Sequence, residues 1–193
     1  MKNIHERLNR ALEKIREPGF RTDNGKAKEV NYWVFDYDPQ DELVVRQWVE
    51  YVQEQNRKGT DNFQLVVYDL YDMIIDYLAG KGYLEKCDEF EKTNGFEQIT
   101  KAITAAMRIN DNSRSLIVKH IRENTPDNAI VFLTGIGKCF PFLRSHKVLN
   151  NLHQEYFSVP VILFFPGTYD GQSLTLFNEI FDNNYYRAFQ LVK

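Results

Sequence analysis

Two apolar stretches on either side of a helical segment decide the fold: AIVFLT at 129–134 and VPVILFF at 159–165. Each is almost continuously apolar, which is typical of a strand that is buried on both faces. Between them, residues 141–155 have the composition and periodicity of a helix. Because continuous apolar strands that alternate with helices form parallel sheets covered on both faces, this part of the chain predicts a three-layer α/β fold.

The rest of the chain extends this pattern. Four further segments have the β-branched and aromatic composition of strands, the last two more weakly: VNYWVFDY at 30–37, FQLVVYDL at 63–70, LTLF at 174–177 and RAFQLV at 187–192. A helix that begins at Asp38-Pro39 separates the first two, because aspartate caps a helix and proline suits its first turn. We therefore expect a single domain over 1–193, with a mostly parallel sheet of about five strands.

Two helical regions complete the predicted domain. The first, 1–17, is an amphipathic N-terminal helix that either packs inside the domain or docks a partner. Its apolar face carries Ile4, Leu8, Leu12 and Ile15. The second, 71–124, is predicted to be helical throughout, interrupted by glycines, and forms an insertion between strands that covers a sheet face.

The composition argues against several classes of function. The chain has 193 residues, of which 24 are Lys or Arg and 27 are Asp or Glu, and its formal net charge is −3. This balance leaves no excess of positive charge to drive binding to phosphates, so direct DNA binding is not expected. The N-terminus lacks the pattern of a signal peptide, and no apolar run approaches the ~20 residues of a membrane span. With only Cys87 and Cys139, we expect no disulfide framework and no zinc site, and a cytoplasmic location.

The carboxyl ends of the predicted strands are the place to look for a ligand, because open parallel sheets bind ligands there. These ends carry a candidate strand-end pocket of Asp36, Asp38, Asp69 and Lys138. In a nucleotide-binding interpretation, Asp36 or Asp69 would hold magnesium and Lys138 would contact phosphate. The alternative for the acidic residues after the first strand is that they cap the following helix and complement its dipole.

The loop Gly135-Ile136-Gly137-Lys138 does not match a phosphate-binding loop. Phe132 stands where that motif needs its first glycine, and Cys139 stands where it needs Ser or Thr. A dinucleotide-binding motif would need glycine in place of Phe140. We therefore expect no cofactor and no metal. Because no GxSxG or HExxH motif is present either, we assign no catalytic residue.

A set of basic and aromatic residues in the second half of the chain suggests a protein interface. Arginine beside tyrosine is typical of interface anchors. The candidate partner-binding residues are Arg144, His146, Tyr185, Tyr186 and Arg187. The alternative is that the tyrosines are buried and pack against the last strand.

A series of motifs over essentially the whole chain resembles a known family. In chain order they are FDYDP at 35–39, FLTGIG at 132–137, PFLRSH at 141–146 with Asn150, VILFFPG at 161–167 and NYYRAF at 184–189. Their order and spacing resemble BrxB, a family of small proteins of bacterial BREX (bacteriophage exclusion) defence systems. The order of strands and helices also resembles the core of a RecA- or AAA-type ATPase without its phosphate-binding loop.

The resemblance implies participation in phage defence and host-genome adenine methylation. It implies larger BREX partners: first the PglZ phosphatase-fold protein, then the BrxC ATPase or the PglX methyltransferase. It supplies no catalytic residues. We therefore expect a non-enzymatic adaptor. The alternatives are a nucleotide-binding or nucleotide-hydrolysing regulatory subunit that uses the strand ends, and an accessory protein that contacts DNA.

Overall fold

The computed structural model describes residues 3–21, 31–111, 114–154, 159–182, 184, 186 and 188–193. The helices are α1 Ile4–Arg16, α2 Glu42–Arg57, α3 Leu70–Gly80, α4 Leu84–Asn94, α5 Phe96–Ala106, α6 Leu116–Asn124 and α7 Ser145–Gln154. The strands are β1 Tyr32–Tyr37, β2 Gln64–Asp69, β3 Ala129–Thr134, β4 Val161–Tyr169, β5 Leu174–Leu176, β6 Ile180–Asp182 and β7 Phe189–Gln190. Two 3₁₀ turns, Pro39–Asp41 and Gly137–Cys139, follow β1 and β3.

The central sheet has five parallel strands in the order β2-β3-β4-β1-β7. Strands β5 and β6 continue from β4 as an antiparallel hairpin. The predicted fold class, a mostly parallel sheet of about five strands flanked by helices, is confirmed.

Helices cover both faces of the sheet, because neighbouring residues of a strand point to opposite sides. Phe132 and Phe164 pack towards α1 and α2. Val131 and Leu163 pack towards α3, α5, α6 and α7. All four strand residues are almost fully buried, which explains why the sequences of β3 and β4 are continuously apolar instead of alternating.

The N-terminal helix packs inside the domain. Leu8, Ala11 and Ile15 of α1 are buried in the core on the α1–α2 face of the sheet. Of the two roles that the sequence allowed for this apolar face, packing within the domain is the one observed. No helix of the described residues is long and apolar enough to cross a membrane.

The structure corrects several predicted boundaries. The helix predicted over 141–155 begins at Ser145, after a turn-rich stretch. Strand β6 lies in a segment for which the sequence predicted no strand. The last predicted strand, 187–192, is reduced to the two residues of β7 within the described part of this segment. Short strands at the end of a sheet depend on pairing partners, which local composition does not reveal.

Candidate functional site

The switch point of the sheet lies between β1 and β4. These strands are parallel neighbours whose carboxyl ends meet, with Tyr37 opposite Pro166. From β1 the chain crosses to β2 at one edge of the sheet, whereas from β4 it proceeds to β7 at the other edge. In open α/β sheets the crevice at such a point is the usual ligand site, so its side chains are the first to consider.

Asp36 lies at this switch point and is fully engaged within the chain. One carboxylate oxygen accepts hydrogen bonds from the Arg7 guanidinium (2.9 Å) and the Gln190 side-chain amide (3.2 Å). The other accepts from the backbone N–H of Tyr169 (3.2 Å). Asp36 is buried, and a buried carboxylate needs this number of donors to offset its lost hydration.

Arg7 reaches the switch point from α1 and makes two further contacts there. Its guanidinium lies over the Phe35 ring, 5.0 Å from the centroid, and donates to the carbonyl oxygen of Val192 at 3.3 Å. A second residue of the same helix, Lys14, donates to the carbonyl oxygen of Leu191 at 3.0 Å. Helix α1 therefore holds Leu191 and Val192 beside β1 and places the Arg7 cation against Asp36 at the switch point.

Asp38 caps the turn that follows β1. Its side chain accepts a hydrogen bond from the backbone N–H of Gln40 at 2.9 Å, so it caps the 3₁₀ turn, whereas the helix that it was predicted to cap begins at Glu42. Next to it, the Tyr37 hydroxyl donates to Glu42 at 2.6 Å. Burial, together with the neighbouring Glu42 carboxylate, raises the pKa of Tyr37. Asp38 and Glu42 are thus both used in local structure.

Asp69 and Lys138 meet where β2 and β3 end. Lys138 Nζ lies 2.8 Å from Asp69 Oδ2 and 3.3 Å from Asp72 Oδ1. Asp69 Oδ1 also caps α3 by accepting from the backbone N–H groups of Tyr71 and Asp72. Burial lowers the pKa of Lys138, but hydrogen bonding and charge from the two carboxylates outweigh it and raise the pKa. The ammonium group is therefore charged and already paired with two anions.

The four residues of the predicted strand-end pocket form two separate groups. Strands β1 and β2 are separated by β4 and β3, so at a spacing of ~4.8 Å per strand their ends lie about 14 Å apart. A single magnesium ion cannot contact both Asp36 and Asp69 at that distance, because its ligands lie at about 2 Å. Within the described residues, no three His, Cys, Asp or Glu side chains are grouped so that they could hold a metal ion.

The β5–β6 hairpin covers the loop after β3. Phe177, at the turn of this hairpin, lies against Gly137: a Cβ atom added to Gly137 would be 3.0 Å from the Phe177 ring. The backbone N–H of Phe177 donates to the carbonyl oxygen of Pro166 at 2.8 Å. Phe177 and Asn178 both have positive φ, 55° and 60°, a backbone conformation that costs a bulky residue about 1 kcal/mol. The Phe177 side chain thus covers the Gly135–Lys138 loop, the stretch whose sequence was compared with a phosphate-binding loop.

The candidate partner-binding residues do not form one exposed patch. Tyr186 is only 2% exposed, so its assignment as a surface contact is wrong and the buried alternative is observed. Its hydroxyl donates to Asp182 at 2.7 Å and contacts Ser145 Oγ at 3.1 Å. His146 Nδ1 lies 2.8 Å from the same Asp182 carboxylate.

This cluster joins the end of the β5–β6 hairpin to the start of α7. Burial raises the pKa of Asp182, but hydrogen bonds from His146, Tyr186 and Asn184 outweigh it and lower the pKa. Arg144 is exposed beside the cluster. Tyr185 and Arg187 lie outside the described residues.

Sequence reasoning missed Arg7 and Asp182. Arg7 acts on a residue 29 positions away, and Asp182 on one 36 positions away. The local sequence around each is that of an ordinary helix surface and a polar loop. For Arg7, the available signal was Asp36 at the end of a buried strand. A buried carboxylate requires a cation or several hydrogen-bond donors from elsewhere in the chain.

The fold and these contacts define an open parallel α/β-sheet protein in which the chain's own side chains occupy the ligand edge of the sheet. The sequence model for "BREX protein BrxB" matches residues 66–191. A BREX protein BrxB of Bacillus cereus (strain H3081.97) is 45% identical over 192 residues, which is 100% of this chain and 99% of that protein. A BREX protein BrxB of Escherichia coli O9:H4 (strain HS) is 31% identical over 189 residues, 98% of this chain and 92% of that protein.

The chain therefore belongs to the BrxB family and is a component of a BREX phage-defence system. No solved structure matches it, so the resemblance to RecA- and AAA-type cores stays a prediction.

Proposed function

We propose that this chain is a non-enzymatic, cytoplasmic adaptor that holds larger BREX proteins together through protein–protein contacts. The observation that carries the proposal is the occupied ligand edge of the sheet. Arg7 pairs with Asp36, Lys138 pairs with Asp69, and Phe177 covers Gly137. Groups that bind a nucleotide in other open α/β sheets are engaged here in holding the domain together.

The alternative function, nucleotide binding, requires these contacts to break. A phosphate that binds Lys138 would have to compete with the Asp69 and Asp72 carboxylates, which lie 2.8 and 3.3 Å away. Those carboxylates repel a polyphosphate that approaches the same ammonium group. The adaptor proposal avoids this cost because it leaves the edge of the sheet as it is.

We infer that the first partner is the PglZ phosphatase-fold protein, with the BrxC ATPase and the PglX methyltransferase as further candidates. This choice rests on membership of the BrxB family, since BREX systems contain these proteins. Of the three members of the predicted partner-binding set that the structure describes, Arg144 is the exposed one, and the Arg144→Ala variant tests whether it contributes to any complex that forms.

The experiment is pairwise reconstitution with purified components. The chain is mixed with PglZ, BrxC or PglX of the same BREX system, and the complexes are measured by size-exclusion chromatography with light scattering. We expect a stoichiometric complex with at least one of them. If none forms at micromolar concentration, the adaptor proposal is wrong.

Two titrations separate the alternatives. Isothermal titration with ATP or GTP and Mg²⁺ supports nucleotide binding if the Kd is below about 1 mM, roughly −4 kcal/mol, and if Lys138→Ala abolishes it. Fluorescence anisotropy with labelled DNA at low and moderate salt supports the DNA-contacting alternative if binding weakens as salt rises.

A further inference from the structure

We propose that the outer edge of β2 binds an extended segment of a partner protein as an additional strand of the sheet. This inference rests on the adaptor function and adds to it the place and the chemistry of one contact. Strand β2 is an outer strand of the central sheet. It pairs with β3 over its whole length, from Gln64 to Asp69. Among the described residues, no strand lies on its other side.

The backbone of β2 has unpaired groups on this outer side. In a parallel pair, every second residue of a strand turns its N–H and C=O groups to the same neighbour. The N–H of Gln64 donates to the carbonyl oxygen of Asn128 beside β3, so the alternate residues Leu65 and Val67 face outwards. Within the described part of the chain, the Val67 N–H, the Val67 C=O and the Leu65 C=O have no hydrogen-bond partner. We call these three groups the β2 edge.

The side chains beside the β2 edge are only partly covered. Val66 and Val67 are partly exposed. The residues opposite them on β3, Val131 and Phe132, are fully buried. Because the two valines point to opposite faces of the sheet, both faces lose cover at this edge. A further strand with apolar side chains would bury both valines and supply partners for the three backbone groups.

Strand β2 lacks the features that normally keep an edge strand from pairing. Such features include proline, lysine, a β-bulge and a very short strand. The sequence of β2, QLVVYD, contains no proline, lysine or arginine, and its one charged residue, Asp69, is the last. Its register with β3 is continuous over all six residues, without a bulge. The opposite outer strand, β7, has only two residues, so β2 is the outer strand of this sheet that has room for a partner.

One side chain of the protein already pairs with β2 as a neighbouring strand would. Asn56, in the last turn of α2, accepts a hydrogen bond from the Leu65 N–H at 2.8 Å and donates to the Phe63 carbonyl oxygen at 2.9 Å. A side-chain amide has the same donor and acceptor as a peptide group. Asn56 therefore occupies the amino end of the outer side and leaves strand pairing to begin at the Leu65 C=O.

The length of the β2 edge favours a single extended segment as its occupant. Asn56 bounds the edge at one end, and at the other end the chain turns into α3 at Leu70. A segment of about five residues, at ~3.3 Å per residue, fits between these limits. In a symmetric contact with a second copy, the same patch lies on both sides, so both paired edges would be limited in this way. A segment of another protein meets the limit once.

Two peptides test the chemistry of the β2 edge. Both have the same alternating threonine and valine sequence of about eight residues, within the usual length of a strand, with a lysine at each end for solubility. In the first peptide alternate residues are N-methylated, so one edge can still pair and the peptide cannot stack on itself. In the second peptide every residue is N-methylated, so no backbone donor is left.

Amide exchange of the full chain, followed by NMR, reports on both peptides. We expect the first peptide to bind and to slow exchange of the Val67 amide at least tenfold. The Val66 amide faces β3 and should exchange slowly with or without the peptide. The second peptide should not bind. Equal binding of the two peptides, or binding of neither, would overturn the proposal.

Variants at one position locate the binding. Val67→Pro removes the outward N–H, and it leaves the hydrogen bonds to β3 in place because the Val67 N–H takes no part in them. It should weaken binding of the first peptide at least tenfold. Val67→Thr is the matched control, since it keeps the N–H and a β-branched side chain, and it should retain binding.

A second variant keeps the proposal testable if Val67→Pro does not fold, which its Tm would show. Val67→Lys keeps the backbone N–H and places a charge beside the β2 edge, as natural edge strands do to prevent pairing. It should also weaken binding of the first peptide at least tenfold. If Val67→Lys and a folded Val67→Pro both bind this peptide as the wild type does, the β2 edge is not the binding site.

The reconstituted BREX complex separates failure of this inference from failure of the proposed function. If the wild-type chain binds its partner and the Val67→Pro and Val67→Lys variants bind it equally well, this inference is wrong and the adaptor function stands. If the first peptide binds as expected but no BREX partner does, the adaptor function is wrong, while pairing of a strand with the β2 edge is supported. If the wild-type chain is a dimer that Val67→Lys converts to a monomer, the occupant is a second copy and the proposal is overturned.

Discussion

Removing the Arg7 side chain tests whether α1 closes the switch point of the sheet. Arg7→Ala deletes the 2.9 Å ion pair to Asp36, the hydrogen bond to the Val192 carbonyl and the contact with the Phe35 ring. Asp36 keeps only its neutral donors, the amide of Gln190 and the backbone N–H of Tyr169. The carboxylate then remains buried without a cation.

The magnitude follows from the burial of the pair. Breaking a buried ion pair costs about 3–5 kcal/mol, and the two side chains are 16% and 12% exposed, with two donors left on Asp36. We therefore expect Arg7→Ala to lower the free energy of unfolding by about 3 kcal/mol. Arg10→Ala is the matched control, since it removes an exposed arginine one turn along the same helix and should cost under about 0.5 kcal/mol.

Urea denaturation followed by circular dichroism measures both variants. A second change, Asp36→Asn, removes the uncompensated charge, so it should cost less in the Arg7→Ala background than in the wild type. If Arg7→Ala and Arg10→Ala have the same effect within about 0.5 kcal/mol, the cation at the switch point is not structural and the reasoning fails. Amide exchange of residues 189–193 should also accelerate in Arg7→Ala, because α1 holds this segment.

Three further predictions concern other parts of the molecule. Gly135→Ala places a Cβ 2.3 Å from Asp69 Oδ1 at a φ of +75°, whereas Gly82→Ala, at a φ of +65°, places its Cβ in open space. In urea denaturation the free energy of unfolding should fall by about 3 kcal/mol for Gly135→Ala and by about 1 kcal/mol for Gly82→Ala. Equal losses would contradict the role of the Asp69 cap. The pKa of Asp182 is lowered in the folded chain, so its contribution to stability is present above its unfolded pKa of about 3.9 and is lost as pH falls through the folded value. Asp182→Asn should therefore reduce the loss of stability below about pH 4 in acid titrations, and an unchanged acid profile would refute this. Burial raises the pKa of Cys139 to about 12 and also raises the pKa of the half-buried Cys87. Because Cys87 is the more accessible thiol, iodoacetamide should label it first in the native protein, as measured by mass spectrometry. The opposite order would contradict the burial of Cys139.

The layered fold was predictable because its signal is local. The strands at the centre of the sheet are covered on both faces, so their sequences are continuously apolar, and Ala129–Thr134 has the predicted bounds. The apolar face of α1 could be recognised from helical spacing for the same reason. Strand β5 was also predicted, within one residue at its end. Strand β6 was not predicted and the predicted strand 187–192 is reduced to β7, because a strand of two or three residues exists only through the strand beside it.

The strand-end residues were found from the sequence, but their grouping was not. The rule that ligands bind at the carboxyl ends of parallel strands identified Asp36, Asp69 and Lys138. Their pairing depends on strand order, which puts β1 and β2 on opposite sides of β3 and β4. Whether Asp36 was free or engaged depended on Arg7, which belongs to a helix for which the sequence allowed both packing inside the domain and docking a partner.

The sequence by itself determined the class of fold, the family and the side chains at the strand ends. These properties follow from short-range periodicity and from an order of motifs along the chain, which do not require knowledge of contacts. Tertiary structure alone decided that Tyr186 is buried, that Arg7 neutralises Asp36, and that α4 leaves its apolar groups uncovered. Each of these depends on which surfaces meet when distant segments pack together, and the free energy of burying or pairing a side chain is set by those long-range neighbours.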